Sequence, residues 1–253
     1  MNTIDYNAFD KDKLVKYSPI MFSRNKFYLD KDSIYKVFDE NKIEERKRAE
    51  KVIDYFSDID TDYIVNADNK IVKDDTMIMY GSNYINGLSL RELIEEKGML
   101  KCMKYIINAS KKLEEFHNLD DNSIMGDIHF GNIMVDSNDK LFFIDHDSYG
   151  IKDIKPETYS IYLYRYFNNI ECKSLKDSDY SKDLDRLAFL LSVLNLTFKR
   201  EVYMTRSLLY DDKKDEYPYL KDLKEIYLDI KNGYKDGTKV PYIHELIKNY
   251  DYS

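Results

Sequence analysis

Cysteine is scarce in this chain: Cys102 and Cys172 are the only two among 253 residues, too few for a disulfide framework or a set of paired metal ligands. Both are expected to be free thiols of a reducing cytoplasm. Proline and glycine are also rare, at four and eight residues, which excludes a Pro- or Gly-rich linker and leaves any domain boundary as a tight hinge. Long apolar runs are missing too. The longest, residues 187–198, falls short of the roughly 20 residues that a membrane helix needs, and the opening MNTIDYNAFDKDK carries no signal-peptide core. A soluble, cytoplasmic protein with no membrane partner is expected. Basic charge is in deficit: a formal net charge of -8 and a pI near 5.2 speak against a nucleic-acid partner and leave small molecules or proteins.

What the chain does have is concentrated in residues 125–145, which read MGDIHFGNIMVDSNDKLFFID. Phosphoryl transfer from a nucleotide needs a carboxylate to orient the acceptor hydroxyl, and oxygen ligands to hold magnesium against the phosphates. Asp127 and Asn132 have the spacing at which a single loop supplies both. Gly126 and Gly131 allow sharp turns beside a ligand. Two apolar runs, residues 133–135 and 141–144, flank the turn-forming Asp136-Ser137-Asn138-Asp139 and predict a hairpin that delivers Asp145 to the metal.

This segment resembles the protein-kinase-like superfamily, and its GDIHFGN form is more similar to aminoglycoside, choline and atypical bacterial kinases than to the HRDLKxxN loop of Ser/Thr protein kinases. The Asp145-His146-Asp147-Ser148-Tyr149 ending is similar to some bacterial protein kinases. The resemblance implies an α+β, bilobal fold, with a small β-rich lobe over residues 1–83 and a larger, mostly helical lobe over residues 84–253. It implies ATP and Mg2+ as cofactors, Asp127 as the group that orients the acceptor hydroxyl, and Asn132 and Asp145 as metal ligands. Met125 and Gly126 replace the usual His and Arg, His129 stands where Ser/Thr kinases carry Lys, and His146 replaces the Phe of Asp-Phe-Gly.

The coarse element order agrees with two lobes. Strands are predicted at residues 19–23, 26–30 and 33–38, then a helix over residues 42–56 with Ile43, Ala49, Val52, Ile53 and Phe56 at helical spacing. Strands at residues 63–66 and 76–82 complete an expected five-stranded sheet. Lys36, within IYKVF, shares a strand face with Ile34 and Phe38, and a lysine on such a face suggests a cleft wall. In kinases this lysine grips the α- and β-phosphates and pairs with a helix glutamate, for which Glu50 is the candidate. The turn between the first two strands lacks the glycine-rich signature, so Ser23, Arg24 and Asn25 are expected to bind phosphate through their side chains. Asn83, Tyr84 and Ile85, at the entry to YINGLSL, resemble the hinge that borders the nucleotide.

Further along, Lys155-Pro156-Glu157 resembles the Ala-Pro-Glu that closes an activation segment, here a short one. Asp183, in KDLDRLAFLLSVL, has the register of the aspartate that braces the catalytic loop, on a helix apolar nearly all round. His117 is expected to pack, His129 to organise its loop, and His146 and His244 to have no chemical role. The aromatic residues 159–167 are read as packing and the charged residues 211–216 as a solvated loop. The leading functional expectation is ATP- and Mg-dependent transfer of the γ-phosphoryl group to a hydroxyl, leaning slightly to protein Ser/Thr. A small-molecule kinase of the aminoglycoside or choline type is one alternative, and a pseudokinase scaffold is another, suggested by the glycine-free loop and the Asp-His-Asp motif. A metal-dependent phosphohydrolase would need more clustered ligands than a chain with four histidines offers.

Overall fold

The computed structural model describes residues 1–17, 26–169, 180–199, 215–231 and 239–247. The expected strand at residues 19–23, the loop residues Ser23, Arg24 and Asn25, Cys172 and residues 211–214 lie outside these. The fold is of the α+β class. It divides into two compact units, Met1–Gly87 with Met134–Ser148, and Leu88–Ile133 with Tyr149–Ser253. A boundary was expected between residues 83 and 84; the first unit instead runs on to Gly87 and also includes the hairpin segment Met134–Ser148. Backbone bonds explain that assignment, since Phe143 N donates to Tyr63 O at 2.7 Å and Phe143 O accepts from Val65 N at 3.3 Å.

The first unit is built on a six-stranded sheet with the order β1-β5-β6-β4-β3-β2. Its strands are β1 (Asn2–Asp5), β2 (Val15–Tyr17), β3 (Lys26–Asp30), β4 (Ser33–Val37), β5 (Ala67–Lys73) and β6 (Thr76–Asn83). β1 runs parallel to β5 and the other neighbours are antiparallel. The strand expected at residues 63–66 is displaced: Ile64 makes only an isolated bridge to Phe143, and the strand begins at Ala67. The turn sets this register. Lys73 pairs with Thr76, so only Asp74 and Asp75 connect β5 to β6, and both adopt the left-handed φ (50° and 58°) that a two-residue hairpin turn favours. Helix α1 (Ile43–Ser57) covers one face, where Ala49 and Ile53 pack with Phe38, Ala67, Met77 and Tyr80. The other face buries Tyr35, Ile71, Ile78 and Met79 against Ile4, Phe9 and Leu14 of the N-terminal segment. Strands β8 (Ile133–Asp136) and β9 (Leu141–Phe143) form the expected hairpin, with Asp136 Oδ1 accepting the amides of Asn138 and Lys140 at 2.8 Å each.

Strand β7 (Gly87–Ser89) spans the boundary and leads into α2 (Leu90–Lys97) of the second unit through a capping box: Ser89 Oγ accepts from Glu92 N at 3.2 Å, and the Glu92 carboxylate accepts from Ser89 N at 2.8 Å. There follow α3 (Met103–His117), α4 (Ile161–Asn169), α5 (Lys182–Phe198), α6 (Lys224–Lys231) and α7 (Ile243–Leu246). α3 buries Ile106, Ala109, Leu113 and Phe116 at helical spacing. α5 is buried nearly all round through Leu184, Leu187, Ala188, Leu190, Leu191 and Leu194, as its apolar sequence requires. No helix among the described residues is long and apolar enough to cross a membrane. Cys102 is buried, its Sγ 3.4 Å from Leu93 O, and burial pushes its thiol pKa up.

Ile53 is fully buried between α1 and the sheet. Ile53→Ala should destabilise the protein by about 2–5 kcal/mol through lost burial and the cavity left behind, read as a lower urea midpoint with an unchanged m value.

Candidate active site

Lys36 sits mid-sheet, paired in register with Phe27 on β3 and Tyr80 on β6. Strand alternation turns it to the same side as Phe38, the face covered by α1. Its side chain is only 6% exposed, and its ammonium lies 2.5 Å from Asp145 Oδ1 and 2.9 Å from each oxygen of Asp147. Burial alone would push the ammonium pKa down; the Asp145 and Asp147 carboxylates outweigh it and hold the group above its ordinary value. Glu50, the expected partner, goes elsewhere. It joins Asp54 in holding Lys70, at 3.0 and 2.9 Å. One residue beyond the buried Ala49, Glu50 is turned about 100° off the inward stripe and leaves the helix on the side of β5.

The carboxylates reach Lys36 from a tight turn that follows β9. Asp145 has φ 66°, a left-handed conformation uncommon outside glycine, and the turn is closed by Ser148, whose N and Oγ both donate to Asp145 O at 3.1 and 2.8 Å. Asp147 is fully buried and accepts a further bond from the Tyr80 hydroxyl at 2.7 Å, while its carbonyl accepts from Arg48 Nη2 at 2.8 Å. Between the two acids, His146 packs edge-on against Phe56 and Tyr80, with ring centroids at 5.9 and 5.8 Å. Its Nε2 has no hydrogen-bond partner among the described residues. Burial pushes the His146 pKa down to about 4 against the pull of Asp147 and Asp145, so the ring is neutral.

In the second unit, the loop 125–132 closes on itself. Gly126 has φ 71°, and a Cβ there would lie 2.4 Å from Thr158 O and 2.6 Å from Pro156 Cβ, so only glycine fits. Asn132 Nδ2 donates to Asp127 O at 3.0 Å, bringing together the two residues chosen for their spacing. With Nδ2 committed there, Oδ1 is the end of the amide that offers an acceptor. His129 organises the loop as expected: its Nδ1 accepts from Gly131 N at 3.0 Å, and its Nε2, 3.9 Å from Asp127 Oδ1, is beyond hydrogen-bond reach. Gly131 is not left-handed and lies in a short 3-10 turn, Phe130–Asn132.

The brace beneath this loop is Asp185, two residues on from the expected Asp183. Asp185 is buried and accepts from Met125 N at 2.6 Å and Gly126 N at 2.9 Å. Its Oδ2 also meets His117 Nε2 at 3.1 Å, and His117 Nδ1 meets the Tyr242 hydroxyl at 2.9 Å. Asp183 instead pairs with Arg186 at 2.5 Å and accepts from Val240 N at 2.9 Å. Asp185 lies on the face of α5 shared with Ala188, Phe189 and Ser192, whereas Asp183 sits in the first turn and is a third exposed. His117 is thus more than the packing residue its sequence context suggested; it links Asp185 to the C-terminal segment. Neither that link nor the roles of Asp147 and Tyr80 carry a local signal, since each depends on partners more than 60 residues away.

Of the expected hinge residues, Asn83 ends β6, Tyr84 N donates to Asp32 O at 2.7 Å with its ring edge-on to Tyr17, and Ile85 follows the strand. Among the described residues, no group of three or more His, Cys, Asp or Glu side chains gathers as a metal site. The two expected magnesium ligands, Asp145 and Asn132, lie one in each unit. No protein-family model and no curated protein matches the chain.

Unfolded, the His146 ring would take up a proton near pH 6.5; folded, it resists until about 4. Its contribution to stability is therefore present above pH 6.5 and lost as pH falls toward 4, at about 1.4 kcal/mol for each pH unit of that window. Thermal melts between pH 7 and pH 4 should show a shallower acid loss in His146→Phe than in the wild type. Asp185→Ala should cost about 3 kcal/mol or more by stranding two buried amides, with faster hydrogen exchange at Met125 and Gly126, while Asp183→Ala should cost only about 1 kcal/mol and leave those amides protected.

Proposed function

We propose that this chain is an ATP- and Mg-dependent phosphotransferase with a bilobal, protein-kinase-like fold, moving the γ-phosphoryl group to a hydroxyl. The observation that carries this reading is the meeting of Lys36 and Asp145, 109 residues apart in sequence and bonded at 2.5 Å. The kinase resemblance gives each a role in phosphoryl transfer, Lys36 for phosphate and Asp145 for metal. The Asp127–Asn132 bond and the Asp185 brace beneath Met125 and Gly126 add support from the second unit.

In this mechanism Lys36 steadies the α- and β-phosphates, and the Asp145 and Asp147 carboxylates keep its buried ammonium charged and aimed. Asp145, a third exposed, and the Asn132 amide oxygen are hard oxygen donors of the kind magnesium takes, alongside phosphate oxygens and water. Magnesium would supply neutralisation of the phosphate charge. Asp127 orients the acceptor hydroxyl and accepts its proton, with the rest of its loop fixed by Gly126, His129 and Asn132. Such a reaction draws on cytoplasmic ATP, where the buried thiol of Cys102 also stays reduced.

The acceptor reading leans to a protein Ser or Thr. A small-molecule acceptor is favoured by one observation: the segment after Asp145 is short and pinned, with bridges Ile124–Gly150 and Ile151–Ile154 and with Pro156 against both Gly126 and Gly150. That leaves little chain for a peptide-docking platform.

The test is incubation of the purified protein with magnesium and γ-labelled ATP, alone, with generic protein acceptors, and with aminoglycosides or choline. Asp127→Asn should lower turnover by about 10²–10⁴-fold with the melting temperature little changed, and chelation of magnesium should abolish transfer. Full turnover in Asp127→Asn would overturn the assignment. Binding of ATP, seen as a raised melting temperature, without transfer to any acceptor would favour the pseudokinase scaffold.

A further inference from the structure

We infer that Asp147 is the residue that positions Lys36, taking the part that the kinase resemblance gives to a glutamate on the helix; this rests on the phosphotransferase reading above. The two acids around Lys36 are not equivalent. Asp147 is fully buried and meets the ammonium with both oxygens at 2.9 Å. It is itself fixed by the Tyr80 hydroxyl at 2.7 Å and, through its backbone carbonyl, by Arg48 at 2.8 Å. Asp145 lies on the same short turn, but its side chain is a third exposed. One acid is therefore built as a permanent counter-charge, and the other stands where solvent and ligands reach it.

The helix has no carboxylate in this arrangement. Glu50 is committed to Lys70, and α1 meets the turn through Arg48, which donates to the Asp147 main-chain oxygen, and through Phe56 against His146. Lys36 is aimed by the turn that carries Asp145, so the phosphate-binding and metal-binding groups keep their mutual register without help from a helix glutamate. The two carboxylates are met by the Lys36 ammonium, with the Arg48 guanidinium on the Asp147 carbonyl. When a cation arrives at Asp145, Asp147 retains Lys36, so the lysine is not set adrift as Asp145 changes partners.

The test is a pair of double-mutant cycles on the full-length chain, one read in stability and one in turnover. In urea denaturation, Lys36→Met and Asp147→Asn should couple by at least about tenfold in the unfolding equilibrium constant, and Lys36→Met with Glu50→Gln by less than about twofold. In ATP turnover, Asp147→Asn should lower kcat at least about tenfold in the wild-type background and have no further effect in Lys36→Met, a non-additivity that loss of fold alone would not produce. Coupling at Glu50 that equals or exceeds coupling at Asp147 overturns the inference whether or not the protein turns over. Strong Lys36–Asp147 coupling in a wild type that transfers phosphate to nothing overturns the phosphotransferase reading and leaves the positioning of Lys36 by Asp147 standing. If Asp147→Asn does not fold, Tyr80→Phe replaces it in both cycles, with a smaller coupling to Lys36 of the same sign expected and its absence overturning the inference.

Discussion

An ammonium group withdrawn from water has to meet its charge inside the protein, and for Lys36 that requirement organises the first unit. The desolvation cost of a buried lysine is several kcal/mol, and an ion pair recovers it only when the geometry is good and the remaining polar atoms are bonded. Asp147 meets both conditions: both of its oxygens face the ammonium, and the Tyr80 hydroxyl takes a further share. To bring Asp147 there, the chain after β9 must turn sharply, and that turn places Asp145 in a left-handed conformation beside the same lysine. The strained residue and the buried charge are thus parts of one arrangement. His146, between the acids, has to be neutral and aromatic to fill the space between Phe56 and Tyr80.

The second unit solves a similar problem with backbone donors. A loop that turns at Gly126 exposes main-chain amides with no helix or sheet to satisfy them, and buried amides without partners are costly. Asp185 supplies the acceptor from the first turn of the apolar helix α5, and His117 and Tyr242 extend the network to the C-terminal segment. The loop's geometry therefore depends on the helical core and on Val240–Ile247 as much as on its own sequence.

Much of the arrangement was legible in the residues themselves, and the misses have a common cause. Lys36 stood out because a lysine among Ile34, Tyr35, Val37 and Phe38 contradicts its surroundings, and the Asp127–Asn132 pair because its spacing is short enough for one loop. The β8–β9 hairpin followed from its turn residues, and α1 and α5 from their periodicity. Glu50 was misassigned because helical phase tells which residues face inward but not which cation waits at the edge of the sheet; Lys70 was there. The strand at β5 was displaced because its polar ADNKIVK is weak in pattern and takes its register from the Asp74–Asp75 turn and from β6. Asp185 was passed over for Asp183 because two acids in the first turns of one helix differ only in what lies across from them.

The sequence by itself determined the α+β class, the buried character of the central helix, the closeness of Asp127 and Asn132 in one loop and the hairpin leading to Asp145, because each follows from periodicity, turn preference or spacing within a few residues. Tertiary structure decided which carboxylate holds Lys36, which aspartate braces the loop, and that His117 joins a polar network. Those outcomes are set by partners distant in the chain. A buried charge or amide takes the nearest group of the right kind in space, and nearness in space is what local sequence does not encode.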